Sequence, residues 1–343
     1  MAVGKESKAK GFFFGILAAV SYGVNPLGAK YLYEEGLNVE SVLFYRYGLA
    51  FVIIAGIMAV KVWLAKRKPA GEAARYESFR VSKGELVTLV WLGLMFVVSS
   101  LTLYCSFLYM DSGVACSLLF VYPVMTAVLM AVLYGEKITG STAVAIVLSL
   151  IGVVLLYKGD GETVLSTVGV LLVMVSALSY ALYIIVANRA SAPESELKNT
   201  HNRLTKYIPV PHRATIHRLN MSAMKLSLYV LMVCALSIVA FSFTSPERHL
   251  MPLVTAREWG FALMLAIVPS VISLVSMGIA VRIIGSTPTA IMGALEPLTA
   301  VIIGLTVFKE TMTVNLAVGI VLILTAVITI IASKARPSAK SVE

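Results

Sequence analysis

Charge is scarce in this sequence. Asp, Glu, Lys and Arg make up 13% of its 343 residues, against about 25% in a soluble domain. With 59% hydrophobic residues and a mean hydropathy of +0.89, there is too little polar surface to cover a water-soluble globule of this size. Cysteine is scarce too. Cys105, Cys116 and Cys234 all lie inside apolar runs, which excludes a disulfide framework or a metal-binding spacing and leaves them as small core residues. None of the four histidines falls in an apolar run long enough to span a bilayer, and His201, His212 and His217 share one polar loop at a spacing that fits no metal template. No GxxxxGK[ST] occurs, so ATP is not a direct drive, and neither HExxH nor GxSxG is present. The formal net charge of +10 is not gathered into a basic stripe with interleaved aromatics, so it argues for no nucleic-acid partner. No cofactor is expected.

Long apolar runs are what the sequence does contain. A spanning helix needs roughly 20 apolar residues. Ten segments qualify: 11–32, 41–62, 84–110, 112–134, 140–158, 163–188, 221–243, 258–283, 286–307 and 312–333. Lys5, Lys8 and Lys10 followed by GFFFGILAAV have the form of a signal peptide, but the apolar run continues through VSYGVNPLGAKYLY and is long enough to span. Only two connections are long, 63–83 and 189–220, and both are polar and basic. Of the 28 Lys and Arg, 21 fall on the side of the termini and five on the other, with Arg46 and Lys225 inside spans. The positive-inside rule therefore puts both termini in the cytoplasm of a cell (inner or plasma) membrane, and an even number of spans follows. The 189–220 loop reads as a basic segment near anionic lipid headgroups.

The chain also repeats itself. YPVMTAVLMAVLYGE in the fourth span matches EPLTAVIIGLTVFKE in the ninth: Pro123 and Pro297 are each followed thirteen residues later by Glu136 and Glu310, an offset of 174. The same offset pairs Ser99 with Ser273 and Ile146-Val147-Leu148 with Ile320-Val321-Leu322. AAVSYGV in the first span matches SALSYAL in the sixth at a different offset, the long loop taking up the difference. Two halves are expected, 11–158 and 163–333, each of five helices. Five is odd, so the second half would enter the membrane from the opposite side, as an inverted repeat. The doubled Pro-to-Glu pattern together with YRYGLA in the second span resembles the EamA family of the drug/metabolite transporter superfamily. The resemblance covers nearly the whole chain. It implies ten helices, a central cavity and export of small metabolites, often amino acids; the 189–220 loop is longer than that family's usual central connection.

Glu296 lies near the middle of the ninth span. A carboxylate at that depth is costly unless paired, hydrated or protonated, so it marks either a substrate or proton site or a structural ion pair. Arg46, about six residues inside the second span, could pair with Glu296 or with a substrate carboxylate. Lys225, near the end of the seventh span, is expected to snorkel to the interface. Tyr22 and Asn25 share a face of the first span just before Pro26, and Ser176, Tyr180 and Tyr183 share a face of the sixth. Tyr122 takes the position of Glu296 under the 174-residue offset. These groups either line a cavity for an amphipathic solute or bond between helices, while Ser99, Ser273 and Ser276 would allow close packing. Glu136 and Glu310, beside Lys137 and Lys309, read as interfacial structure. The expected function is a secondary-active transporter for a small molecule, with protons as a possible coupling ion. The alternative is a polytopic membrane enzyme or sensor without transport activity, against which the scarcity of His and carboxylate clusters and the short tails both argue.

Overall fold

In hydrocarbon a backbone N–H or C=O finds no water, so each must be satisfied within its own segment, and an apolar run has little choice but to be a helix. The computed structural model follows this throughout. It describes residues 2–67, 79–134, 138–158, 166–191, 219, 221–284, 289 and 292–335, and no strand occurs among them. The helices are α1 (Ala2–Gly23), α2 (Asn25–Glu34), α3 (Val39–Lys66), α4 (Lys83–Ser106), α5 (Ser112–Leu119), α6 (Tyr122–Tyr134), α7 (Gly140–Lys158), α8 (Thr167–Ser191), α9 (Ala223–Ser242), α10 (Ala256–Ala266), α11 (Ser273–Ile284), α12 (Leu295–Thr306) and α13 (Val314–Ala335). Eight stretches are long and apolar enough to cross a membrane, and two shorter apolar helices, Gly140–Leu155 and Leu295–Thr306, take the places of the fifth and ninth expected spans.

Helix starts are encoded locally. Ser82 and Glu85 form a reciprocal cap that opens α4, Thr255 and Glu258 do the same for α10, and the Ser222 hydroxyl caps α9. Lys225 reaches out of its span toward the segment before α4. It is buried, and its ammonium donates to the Arg80 carbonyl at 2.8 Å, tying α9 to that segment.

Four expected spans are not continuous helices, and each interruption lies beside a proline. α1 gives way to α2 at Val24, with Pro26 in the first turn of α2. α5 gives way to α6 across Phe120 and Val121, ahead of Pro123. α10 and α11 are joined by a π-helical turn, Ile267–Ile272, that contains Pro269. α12 begins at Leu295, two residues before Pro297. Proline removes an N–H and crowds the preceding turn, and such breaks survive at membrane depth where protein or a water-filled cavity surrounds them.

The bundle packs α1 on α11, α4 on α8, α7 on α13, α9 on α3 and α4, and α12 on α5 and α1. Two of these contacts are stitched by serines. Ser99 and Ser176 join α4 to α8 through a 3.0 Å hydroxyl pair and a 2.7 Å bond from the Ser176 hydroxyl to the Ser99 carbonyl. Ser273 joins α11 to α1, donating to the Ala18 carbonyl at 2.9 Å. Val52, Leu150, Leu171, Leu236, Ile302 and Val321 are exposed on the outside, as lipid-facing residues should be. The start of α13 lies beside the end of α2, because Glu310 meets Lys30 there. Both described chain ends therefore lie at the opposite end of the bundle.

Candidate functional site

Three of the proline-linked breaks open onto one cavity. Tyr22 and Asn25 come from the α1–α2 junction, Phe120 and Tyr122 from the α5–α6 junction, and Glu296 and Pro297 from the start of α12. Arg46 of α3, Phe96, Ser99 and Tyr104 of α4, Cys116 of α5 and Tyr180 of α8 also line it. Free space inside is about 30 Å³, room for about two waters. A metabolite can enter only if some of these side chains swing aside.

At one side of the cavity Arg46 is buried and held from several directions. Its Nε donates to Ser270 Oγ at 3.2 Å and its Nη1 to the Tyr104 hydroxyl at 2.8 Å. Tyr104 in turn donates to Asn25 Oδ1 at 3.2 Å. Three tyrosine rings surround the guanidinium, with centroids at 5.8 Å (Tyr22), 5.3 Å (Tyr47) and 5.5 Å (Tyr104). The fourth proline break explains Ser270. Pro269 has no N–H to give the Leu265 carbonyl one turn back, and the Ser270 hydroxyl fills that place at 3.1 Å while accepting from Arg46. A guanidinium carries five donors, so this arrangement leaves Arg46 with capacity toward the cavity.

Glu296 stands in the first turn of α12, where the helix dipole favours negative charge. Its carboxylate takes no hydrogen bond or ion pair from any described side chain. The pairing with Arg46 considered from the sequence is not formed: ion pairs among the described residues are Lys30–Glu310, Arg248–Glu40 and Arg257–Glu35. Glu296 and Arg46 instead line the same cavity as separate charged groups of opposite sign.

Part of the remaining wall is aromatic. Tyr122 meets Tyr180 edge to face at 4.7 Å, and Phe120 meets Tyr122 at 5.7 Å. Tyr183 does not line the cavity. It stacks behind Tyr180 at 5.8 Å and packs on Phe96 at 5.2 Å, supporting the ring that does. Of the residues singled out from the sequence, Tyr22, Asn25, Arg46, Tyr122, Tyr180 and Glu296 thus converge, and Tyr183 lies one ring removed. Tyr104, Phe96 and Ser270 were not anticipated. Tyr104 and Phe96 sit in an apolar helix with no periodic signal, whereas the Pro269-Ser270 pair in mid-span was a legible sign of a break with its own replacement donor.

Among the described residues there is no group of three or more His, Cys, Asp or Glu that could hold a metal ion. His201, His212, His217 and Glu136 lie outside the described residues, as does most of the 189–220 loop.

The sequence profile described as the EamA-like transporter family matches residues 9–158 and 213–332. An uncharacterized transporter of Archaeoglobus fulgidus is 23% identical over 297 residues, covering 82% of this chain and 96% of its own. A protein known from its crystal structure superposes with a TM-score of 0.57 at 14% identity, over 96% of this chain and 99% of that one. At that identity the likeness shows the fold alone.

Proposed function

From the premise that this chain belongs to the EamA-like transporter family and is a membrane transporter, we propose that it is a secondary-active exporter of a small zwitterionic metabolite of the amino-acid type. The observation that carries this reading is the charge arrangement of the cavity: a fixed guanidinium, an unpartnered carboxylate and several aromatic rings all line it. Arg46 would take the solute carboxylate, using the planar donors that Ser270 and Tyr104 leave over. Glu296 would take the ammonium, which replaces the partner the carboxylate otherwise lacks. The tyrosine faces suit the cation and any aromatic or aliphatic side chain. With no solute bound, Glu296 is also the group best placed to carry a coupling proton. Export rather than uptake follows from the family resemblance, and a cell membrane with cytoplasmic termini from the distribution of Lys and Arg.

Alternating access by two inverted halves would let one cavity serve both sides of the membrane. Matched contacts support that reading. Ser99–Ser176 and Ser273–Ala18 are the same pair under the two sequence offsets. So are two close helix approaches: a Cβ on Gly11 would meet Ile283 and Ile284, and a Cβ on Gly169 would meet Tyr109 and Met110.

The test compares extracellular metabolites from cells producing equal amounts of the wild type and of Glu296→Gln, followed by liposome transport of the solutes found. A few related zwitterions accumulating outside with the wild type alone would support the proposal. Wild-type transport confined to uncharged solutes, with Glu296→Gln equally active, would overturn it. Unaltered pH dependence in Glu296→Gln would separately remove the proton role.

A further inference from the structure

At the end of the bundle away from the described chain termini, the Glu310 carboxylate joins elements from both halves of the sequence. One oxygen accepts from Lys30 Nζ on α2 at 2.6 Å, from the Ser112 backbone N–H at 3.0 Å and from the Ser112 hydroxyl at 2.8 Å. The other accepts from the Gly113 N–H at 3.3 Å. The carboxylate therefore sits on the first turn of α5, where two backbone donors and the helix dipole face it. Gly113 and Gly304 leave the room it occupies, since a Cβ on either would press against it. Lys30 also lies over the Phe308 ring at 4.6 Å, and Tyr31 packs on Phe261 at 4.5 Å and on Phe308 at 5.6 Å, so apolar rings cover the ion pair.

Two further features point to a contact that is made and released. Lys309, just before Glu310, holds a φ of 55°, the left-handed region that an L residue with a side chain disfavours. It is kept there while Glu310 N–H bonds the Gly304 carbonyl at 3.0 Å and the carboxylate stays on α5. The contact also uses the helices that line the cavity. Cys116 and Leu119 of α5 and Glu296 and Pro297 of α12 face the cavity. Ser112 lies one turn of α5 from Cys116, about 6 Å along the axis, and Glu310 follows the far end of α12.

We propose that Glu310, seated on Lys30 and the first turn of α5, is the gate that closes the cavity on this side of the membrane and is released in the other half of the cycle. This rests on the alternating-access reading above. It assigns to Glu310 a moving role in place of passive interfacial structure. Releasing the carboxylate frees α2, α5 and the α12–α13 link from one another and lets Lys309 relax, so closed and open arrangements are discrete states. A Lys30→Glu, Glu310→Lys exchange would not rebuild the gate, because the Ser112 and Gly113 N–H groups require an anion.

The experiment reads cavity access without any solute. In a Cys105→Ala, Cys234→Ala background, Cys116 is the remaining thiol. Its reaction with a small membrane-impermeant cationic methanethiosulfonate is timed from each side of the membrane in oriented vesicles. Glu310→Gln is expected to speed labelling about tenfold from the side opposite the termini and to leave the other side unchanged or slower, with the charge exchange behaving like Glu310→Gln. Labelling at the wild-type rate would overturn the gate. A rise of equal size from both sides would also overturn it, meaning that the contact only holds the bundle together. Should Glu310→Gln not accumulate, Lys30→Gln removes one partner of the same carboxylate and is read in the same way. A solute screen that fails while labelling changes on one side would count against the proposed substrate and leave the gate standing; the reverse pattern would count against the gate alone.

Discussion

At the scale of single residues, the decisive contrast is between charges that are held and one that is not. Arg46 is fixed by Ser270 and Tyr104, while Glu296 has no described partner. Arg46→Lys keeps the charge but gives up the planar fork. It should keep the fold but lower the melting temperature, since the bonds to Ser270 and Tyr104 are weakened, and raise the transport KM by roughly ten- to a hundredfold, on the scale of the about 1.5–3 kcal/mol of a charged hydrogen bond. An unchanged KM would show that Arg46 serves the network and not the solute. Glu310 titrates differently. Burial alone would raise its carboxyl, but hydrogen bonds from Lys30 and Ser112 and the Lys30 charge outweigh it and hold the group below its ordinary value. A carboxyl depressed in the folded state adds stability that is complete above its unfolded value and is lost as pH falls through the folded one. The Lys30–Glu310 contact should therefore be insensitive to pH between about 6 and 8 and weaken only below about pH 4. Asp111 nearby moves the other way: burial, then the Glu310 charge, raise it against Lys30. Melting curves of the wild type and Glu310→Gln across this range should run parallel near neutrality and converge in acid.

At the scale of elements, the proline breaks position the site. An uninterrupted ninth helix would carry Glu296 in mid-helix, with intrahelical bonds on both sides. Starting α12 at Leu295 puts Glu296 in a first turn, at the positive end of the helix dipole. Pro123→Ala and Pro297→Ala return an N–H and let a helix extend through the break. Each should hold or raise the melting temperature in detergent while slowing liposome turnover, the balance expected when irregular structure is kept for function. Full turnover in both variants would mean that the breaks are packing accidents. The serine stitches are a milder case: Ser176→Ala removes the bond to Ser99 and should cost about 0.6 kcal/mol, the typical value for an interhelical bond in a membrane, measurable as a small drop in melting temperature.

For the molecule as a whole, the described chain ends share one side of the bundle, and 21 of 28 Lys and Arg belong to that side in the sequence topology. The positive-inside reading, which puts both termini in the cytoplasm, therefore predicts that a fluorescent protein fused to the C-terminus glows and that an alkaline phosphatase fused there stays inactive. The opposite result would invert the membrane orientation and place the Glu310 contact on the cytoplasmic face.

Much of the architecture was legible in the residues because the bilayer is an exacting solvent. Runs of about 20 apolar residues must be helices, so the all-helical fold and the order of its segments follow from composition and length. The proline positions marked where those helices break, and Pro269-Ser270 even carried its own repair. The sequence could not say which polar groups meet. A helix apolar on all sides has no strong periodicity from which to read its rotation, so nothing in YRYGLA announced that Arg46 would find a serine 224 positions away and leave Glu296 unpaired. Nor did the pattern around Glu310 announce Lys30, 280 positions distant. Those meetings depend on how broken helices turn and pack against one another, and only the tertiary structure decides that.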